Sequence, residues 1–343
     1  MTSKRVLVAL SGGVDSSAAA VLLQRSGYCC DGAALHLHTG SDETDARAAA
    51  EKLHMDFFVF DETAAFRREV IDGFVAAYCA GLTPNPCIVC NRALKFGAFL
   101  DKARDMGYDY IATGHYARVI YNESTGLYEL HRAADRSKDQ TYVLYQLTQQ
   151  QLSHLLLPCG DYDKPTLRQL AENAGLLNAQ KKDSQDICFI PDGDYVRFLQ
   201  ENGVALTPGN FVDGDGNVLG QHRGLPCYTT GQGKGLGIAL GKHVYVLSKN
   251  AADNSVTLGD DEDLFRTSLT AHTVHWISGS IPAGPVPCTA KTRYSQRECQ
   301  AVATPLPDGR MAVEFARPQR AITAGQAVVL YDGDVVLGGG TIE

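Results

Sequence analysis

Residues 6 to 23 pass from a short apolar run, Val6–Leu10, through SGGVDSS and straight into Ala18-Ala19-Ala20-Val21-Leu22-Leu23. This strand, glycine turn and helix start a pattern that persists for two hundred residues. Gly32–His38, Met55–Phe60 and Tyr108–Thr113 read as further strands, and residues 16–26, 43–54, 64–80, 88–106 and 164–175 carry helical spacing. Near-continuous apolar strands alternating with helices predict an α/β fold, a doubly wound and mostly parallel sheet covered on both faces. In such a sheet ligands bind at the carboxyl ends of the strands.

The texture changes near residue 203. From there on lie 20 of the 34 glycines, helical spacing disappears, and Asp213-Gly214, Asp215-Gly216, Pro307-Asp308-Gly309 and Asp332-Gly333 punctuate short alternating runs. These are hairpin signals. The acidic break at residues 259–263 divides this part, giving three expected domains: 1–202, a small β-rich 203–262 and a terminal β-barrel 263–343. The glycine-rich GQGKGLG at 231–237 fits no nucleotide motif and reads as a flexible loop.

Composition narrows the function classes. A chain of 343 residues with 44% hydrophobic and 20% charged residues is a soluble globular type, without a run long enough to span a membrane or a signal-peptide pattern, so the expected compartment is the cytoplasm. The net charge of -8 argues against a non-specific nucleic-acid coat. A local basic groove is still open through Lys181-Lys182, Lys291 with Arg293 and Arg297, and Arg317 with Arg320. Ten cysteines in such a length are too dilute for a secreted disulfide framework.

Within SGGVDSS, two glycines permit positive φ and close backbone approach, the serines offer hydroxyl donors, and the helix start points amides at an anion. Asp15 suits Mg²⁺ or an N-cap. No Gly-Lys-Ser/Thr follows, which excludes a Walker A loop. The string resembles the PP-loop of the ATP pyrophosphatase superfamily, and the resemblance implies ATP cleaved between its α- and β-phosphates, with AMP transferred to a substrate oxygen.

TPNPCIVCNRALKF (83–96) places Cys87 and Cys90 where a Pro-Asn-Pro turn enters a helix. A metal clip, a redox couple, a nucleophile with a neighbour and two core residues are all open readings. A zinc clip lacks its second CxxC or CxxH pair. Cys79, Cys159, Cys227, Cys288 and Cys299 read as buried structural residues.

Together with DYIATGHYAR (109–118), SKDQTYVLYQL (137–147), KKDSQDICFI (181–190), KTRYSQ (291–296) and the terminal VLGGGTIE, the segment 83–100 resembles the tRNA-specific 2-thiouridylases, the MnmA type. The resemblance implies that the C2 oxygen of a wobble uridine is adenylated and that Cys188 delivers sulfur as a persulfide. It implies Cys90 as the nucleophile that breaks the S–S bond and leaves a Cys90–Cys188 disulfide for a reductant to reset. A thiol in the first turn after Pro86 should ionise easily. The resemblance further implies ATP against Ala9, Leu10, Ser11, Gly12, Gly13, Val14, Asp15, Ser16, Leu35 and Gly114, with Mg²⁺. It places the target base against Asn85, Pro86 and Cys87, and tRNA at His115, Lys138, Asp139, Gln140, Arg293, Tyr294 and Gln326. The barrel helps grip tRNA, and the sulfur donor is a cysteine desulfurase or a sulfur-relay protein.

The sequence departs from the family at Cys87, where the best-described motif has aspartate, and this opens an iron-sulfur cluster on Cys87, Cys90 and Cys188 as an alternative sulfur carrier. Residues 36–47 are shorter than in the best-known members. An amidating synthetase or a cytidine thiolase would share the loop, but an amidating enzyme has no use for two cysteines. A nucleotide sensor would release no pyrophosphate in response to tRNA.

Overall fold

A computed structural model describes residues 3–176 and 187–343. Its amino-terminal part is built on β1 (Arg5–Ala9), β2 (Cys29–His36), β3 (Phe57–Asp61), β4 (Tyr110–Ala112) and β7 (Leu155–Leu156), all parallel and ordered β3-β2-β1-β4-β7. Val6, Leu7 and Val8 are wholly buried because β1 is the middle strand and is covered on both faces. Strand order reverses at β1, so the loops leaving β1 and β4 diverge from a common crevice. This is the switch point at which open α/β sheets bind ligands.

Helix α1 (Val14–Arg25) leaves β1 with Ala18, Ala19 and Ala20 buried, small side chains that let it lie close to its neighbours. Helix α2 (Thr44–Lys52) links β2 to β3. Two long helices follow, α3 over residues 63–79 and α4 over residues 86–105, and each contains a π-helical stretch, Arg67–Ile71 and Asn91–Ala98. Helix α6 (Lys164–Asn173), which comes after the short α5 (Gln149–Leu152), packs Leu167 and Ala171 against α1.

The predicted strands and helices are present within a few residues. Besides the short α5 and β7, the sequence analysis missed β5 (Ala117–Asn122) and β6 (Leu127–Arg132), which form a hairpin on the amino-terminal part that joins the carboxyl-terminal sheet. Val335 of the last strand pairs with His131. Its turn, Asn122 to Gly126, is local chemistry, but its partner lies some two hundred residues on.

The small middle sheet has the order β10-β11-β8-β9, with β8 (Gly209–Val212), β9 (Val218–His222), β10 (Tyr245–Asn250) and β11 (Ser255–Gly259). GQGKGLG precedes β10 as irregular backbone, with positive φ at Gly231, Gly235 and Gly237. Beyond Asp260, β12 (Phe265–Trp276), β13 (Val286–Lys291), β14 (Cys299–Pro305), β15 (Met311–Arg320), β16 (Ala327–Asp332) and β17 (Val335–Ile342) form an antiparallel barrel, closed by β12 against β17.

One hydrophobic cluster joins the parallel sheet to the barrel: Leu7, Phe96, Phe99 and Ile111 are contiguous with Tyr142, Tyr145, Ile277, Val329 and Tyr331. The barrel also grips the segment before α4. Thr83 donates its amide to Ala324 O at 2.9 Å, and Gln326 Nε2 donates to Thr83 O at 2.8 Å. Among the described residues no helix is long and apolar enough to cross a membrane.

The crevice needs glycine at position 114. A Cβ there would lie 2.6 Å from both Asp15 C and Ser16 N, backbone atoms that cannot swing aside. Gly114→Ala should therefore behave as an overpacked site and cost about 1–3 kcal/mol. Chemical denaturation checks this, with a lowered midpoint expected; an unchanged midpoint would show that α1 is loosely seated.

Candidate active site

The phosphate loop is closed from within. Gly12 has φ +70°, and a Cβ there would meet Asp45 Cβ at 2.9 Å, so glycine is needed both for conformation and for space. Two of the serine hydroxyls turn inward: Ser16 Oγ and Ser17 Oγ donate to Gly13 O at 3.0 and 3.1 Å, and Ser16 Oγ accepts from Ser11 N at 3.2 Å. No side chain caps α1 at Gly13, so the anion-binding character of the loop rests on backbone amides and the helix dipole. Leu35 sits at the carboxyl end of β2, one strand away.

Asp15 departs from expectation, since it caps nothing. Lys164 Nζ donates to its two carboxylate oxygens at 2.9 and 2.8 Å, and Tyr116 donates its hydroxyl to Oδ1 at 2.6 Å. The Cys159 thiol donates to the Asp15 carbonyl at 3.3 Å, which gives this buried cysteine a part in holding the loop. As placed, both Asp15 carboxylate oxygens accept from protein donors, while the side chain stays partly exposed.

Asn85, Pro86 and Cys87 open α4 in the expected way. Asn85 Oδ1 accepts from Cys87 N–H at 3.1 Å, and Pro86 takes the first helical position. Cys87 is exposed. Cys90 is buried, at 6% exposure, and desolvation pushes its thiol up to about 11, which reverses the easily ionised cysteine expected from sequence. Proximity to a helix start was the wrong cue: Cys90 lies a full turn in, beyond the orphan amides, where burial wins over the dipole.

Cys188 lies beside it. Ile187, Phe189 and Ile190 pack in the same apolar cluster as Cys90 and Leu94, and the Cys188 and Cys87 thiols each add to the rise at Cys90. Cys188 itself is exposed, and its thiol is raised, first by desolvation. The stretch 181–186, with Lys181 and Lys182, lies outside the described residues. Among the described residues no group of three or more His, Cys, Asp or Glu side chains is arranged to hold a metal ion, so the three thiols as placed do not fit an iron-sulfur cluster.

Lys95 is the residue that sequence reasoning missed. Its positive charge counters the rise at both Cys90 and Cys188, and it depresses His115. In an α-helix the residue one turn above Cys90 is Leu94; the i to i+5 bonding of the π stretch, which begins just after Cys90, brings Lys95 to that face as well. No sequence signal marks a π stretch, which is why a lysine five residues from a cysteine looked unrelated to it.

The proposed tRNA-facing residues divide. Tyr294 is exposed, stands edge-on to Tyr142 with ring centroids 6.0 Å apart, and feels Cys87 as well as Asp139, so it borders the mouth above the thiols. His115 packs on Phe96, its Nδ1 lies 2.8 Å from Thr113 Oγ1, and desolvation pulls it down to about 3, so it is neutral at ordinary pH. Asp139 is buried, takes the Ala133 amide at 3.1 Å and the Thr141 hydroxyl at 2.7 Å, and faces Arg132 at 3.7 Å. Its side chain supports the loop from inside. Gln140 Oε1 accepts from Tyr116 N at 2.9 Å, which leaves Lys138 as the half-buried cation of that trio.

Arg293 is committed to protein. It donates to Thr230 O at 3.4 Å, Thr323 Oγ1 at 3.0 Å and Ala321 O, and so straps the barrel to the middle sheet. Arg320 is paired with Asp261 at 2.8 Å. Cys159, Cys227 and Cys299 are buried as expected, whereas Cys79 is exposed and Cys288 half-buried.

Comparison with known proteins places the chain in a family. A family described as the tRNA methyl transferase HUP domain matches residues 4–192, a tRNA methyl transferase PRC-barrel domain matches 197–260, and an aminomethyltransferase beta-barrel domain matches 266–342. The tRNA-specific 2-thiouridylase MnmA of Acetivibrio thermocellus is 46% identical, with all of both chains covered. The chain belongs to the tRNA-specific 2-thiouridylase family. The family member from Moorella thermoacetica is 50% identical over 98% of this chain and 99% of its own, and that of Clostridium perfringens 46% identical over 100% and 99%. Between β2 and α2, His36 Nδ1 lies 2.8 Å from Glu43 Oε1.

The thiol centre yields a pH test. A buried thiol raised to about 11 is almost wholly protonated at pH 8, so alkylation of Cys90 by iodoacetamide should quicken with pH far beyond the ordinary thiol value near 8.5. Lys95→Met removes the charge that opposes the rise and should slow alkylation at a fixed pH. Peptide mass spectrometry follows the label, and a rate that levels off below pH 8 would contradict the buried-thiol account.

Proposed function

We propose that this chain is an ATP-dependent tRNA 2-thiouridylase that acts on the wobble uridine. The observation that carries the reading is the convergence of Cys90, Cys188 and Cys87, with Lys95 beside them, at the end of a parallel sheet whose switch point holds a phosphate loop. The loop binds ATP through the amides at the start of α1, with residues Ala9 to Ser16, Leu35 and Gly114 around it. Mg²⁺, if bound with ATP, would neutralise phosphate charge.

The uridine, turned out of its RNA stack, rests against Asn85, Pro86, Cys87 and Tyr294. Aromatic stacking of a flipped base contributes about 1–3 kcal/mol. Its C2 oxygen attacks the α-phosphorus of ATP and pyrophosphate leaves. The terminal sulfur of a Cys188 persulfide then attacks C2, and AMP departs with the former C2 oxygen. The Cys90 thiolate attacks the inner sulfur of Cys188, the S–S bond breaks, and its electron pair goes to the sulfur now on C2, which becomes the thiocarbonyl. The products are 2-thiouridine and a Cys90–Cys188 disulfide, and an external thiol reductant supplies the two electrons that reset it.

Lys95 stabilises the thiolates that this exchange passes through. Burial keeps Cys90 protonated and unreactive until a substrate reorganises the pocket, which protects it from stray oxidants. Sulfur reaches Cys188 from a cysteine desulfurase or a relay protein, for which exposure of Cys188 leaves access.

The test is thiolation of an unmodified tRNA with ATP, magnesium and a desulfurase sulfur source, using anaerobically purified protein and an organomercury gel. Wild type should retard the tRNA, while Cys188→Ala and Cys90→Ala should abolish retardation yet still release pyrophosphate in a tRNA-dependent way. Retardation lost together with iron on aerobic purification would favour a cluster instead of the persulfide. Absence of both retardation and tRNA-dependent pyrophosphate release in wild type would contradict the reading.

A further inference from the structure

The phosphate loop has an electrostatic problem that its own residues do not solve. Among residues 9–16, ALSGGVDS, Asp15 is the only charged side chain and it is negative, although the loop is to receive a triphosphate. A carboxylate in the first turn offsets the positive end of the helix dipole, on which anion binding there depends. The lysine that a Walker A loop carries within its own sequence is absent.

A lysine arrives from elsewhere. Lys164, the first residue of α6, is 7% exposed, and its ammonium bonds both oxygens of Asp15 at 2.8 and 2.9 Å. The placement is unfavourable for α6 taken alone, because a cation at a helix start opposes the dipole of that helix. Asp163, the N-cap of α6, accepts from Thr166 N at 2.9 Å and softens the conflict. A buried ion pair is in general a weak source of stability compared with apolar packing. Its position therefore points to a charge function in the crevice. The remaining contacts on Asp15 hold it still: the Tyr116 hydroxyl on Oδ1, the Cys159 thiol on its carbonyl, and Gly114 against its backbone.

We propose that Lys164 is the counter-cation of the phosphate loop, a positioning residue on α6 that fixes Asp15 and cancels its charge so that the amides of α1 can accept the ATP phosphates. The inference rests on the reading of the loop as an ATP site. Lys164 acts through Asp15 and not by touching phosphate, so its loss should be repaired by removing the charge it cancels.

The test is equilibrium binding of α,β-methylene-ATP by calorimetry in EDTA, which takes any role of Asp15 as a metal ligand out of the comparison. Wild type should bind saturably. Lys164→Met should raise Kd at least about tenfold, and Asp15→Asn/Lys164→Met should return it to within about threefold of wild type. A Lys164 that served stability alone would lower the thermal midpoint in Lys164→Met and leave Kd unchanged. Circular dichroism checks folding; if Lys164→Met does not fold, the double variant alone decides, with near-wild-type affinity supporting the proposal and a tenfold loss overturning it. A Lys164→Met variant that binds like wild type overturns the proposal, as does a double variant as weak as the single, which would make Lys164 a direct phosphate ligand. Absence of binding by wild type would instead overturn the ATP reading of the loop.

Discussion

The reversal of strand order at β1 is the constraint on which the rest depends. With β2 on one side and β4 on the other, the loops after β1 and β4 face one crevice, and the tight contact of Gly114 with the first turn of α1 sets its width. A helix start in that crevice turns backbone amides toward an anion. Around it, Ser16 and Ser17 hydrogen-bond back to the Gly13 carbonyl, and Tyr116 and Lys164 both donate to Asp15.

The thiol cluster is positioned by α4, and the entry to that helix is held by the barrel. Asn85 caps the helix, Pro86 starts it, and its π stretch brings Lys95 round to the thiols. The barrel holds the entry to the same helix through Thr83 and Gln326 and shares a hydrophobic cluster with the sheet. A domain that would otherwise be an appendage thus fixes the segment that leads into α4. Arg293 extends the same logic to the middle sheet through Thr230. Residues expected to touch RNA are in part the joints that keep three units in register, which explains why charged side chains occur there with their hydrogen bonds already made.

Much of this was legible in the sequence. The parallel sheet, the phosphate loop, the Asn85-Pro86 helix start and the change to β structure near residue 203 follow from short-range patterning, and the order of the motifs carried the family. What was not legible is long-range or depends on the exact helical period. The β5–β6 hairpin was missed because its partner strand lies far along the chain. The ionisation of Cys90 was misjudged because proximity to a helix start suggested a dipole effect, whereas burial among Phe66, Phe74, Leu94 and Phe189 dominates. Lys164 was one lysine among many until the fold set it on Asp15. The burial of Asp139 beside Arg132 was not legible for a similar reason, since nothing local marks it.

The central claim is that ATP activates the oxygen which sulfur replaces. The measurement that tests it most directly is a single turnover on tRNA carrying oxygen-18 at C2 of the wobble uridine, with mass spectrometry of the released AMP. Adenylation at that oxygen predicts that the label leaves on the phosphate of AMP as sulfur enters the base. Unlabelled AMP, with thiolated tRNA formed in the same reaction, would contradict the account and separate ATP cleavage from the chemistry at C2.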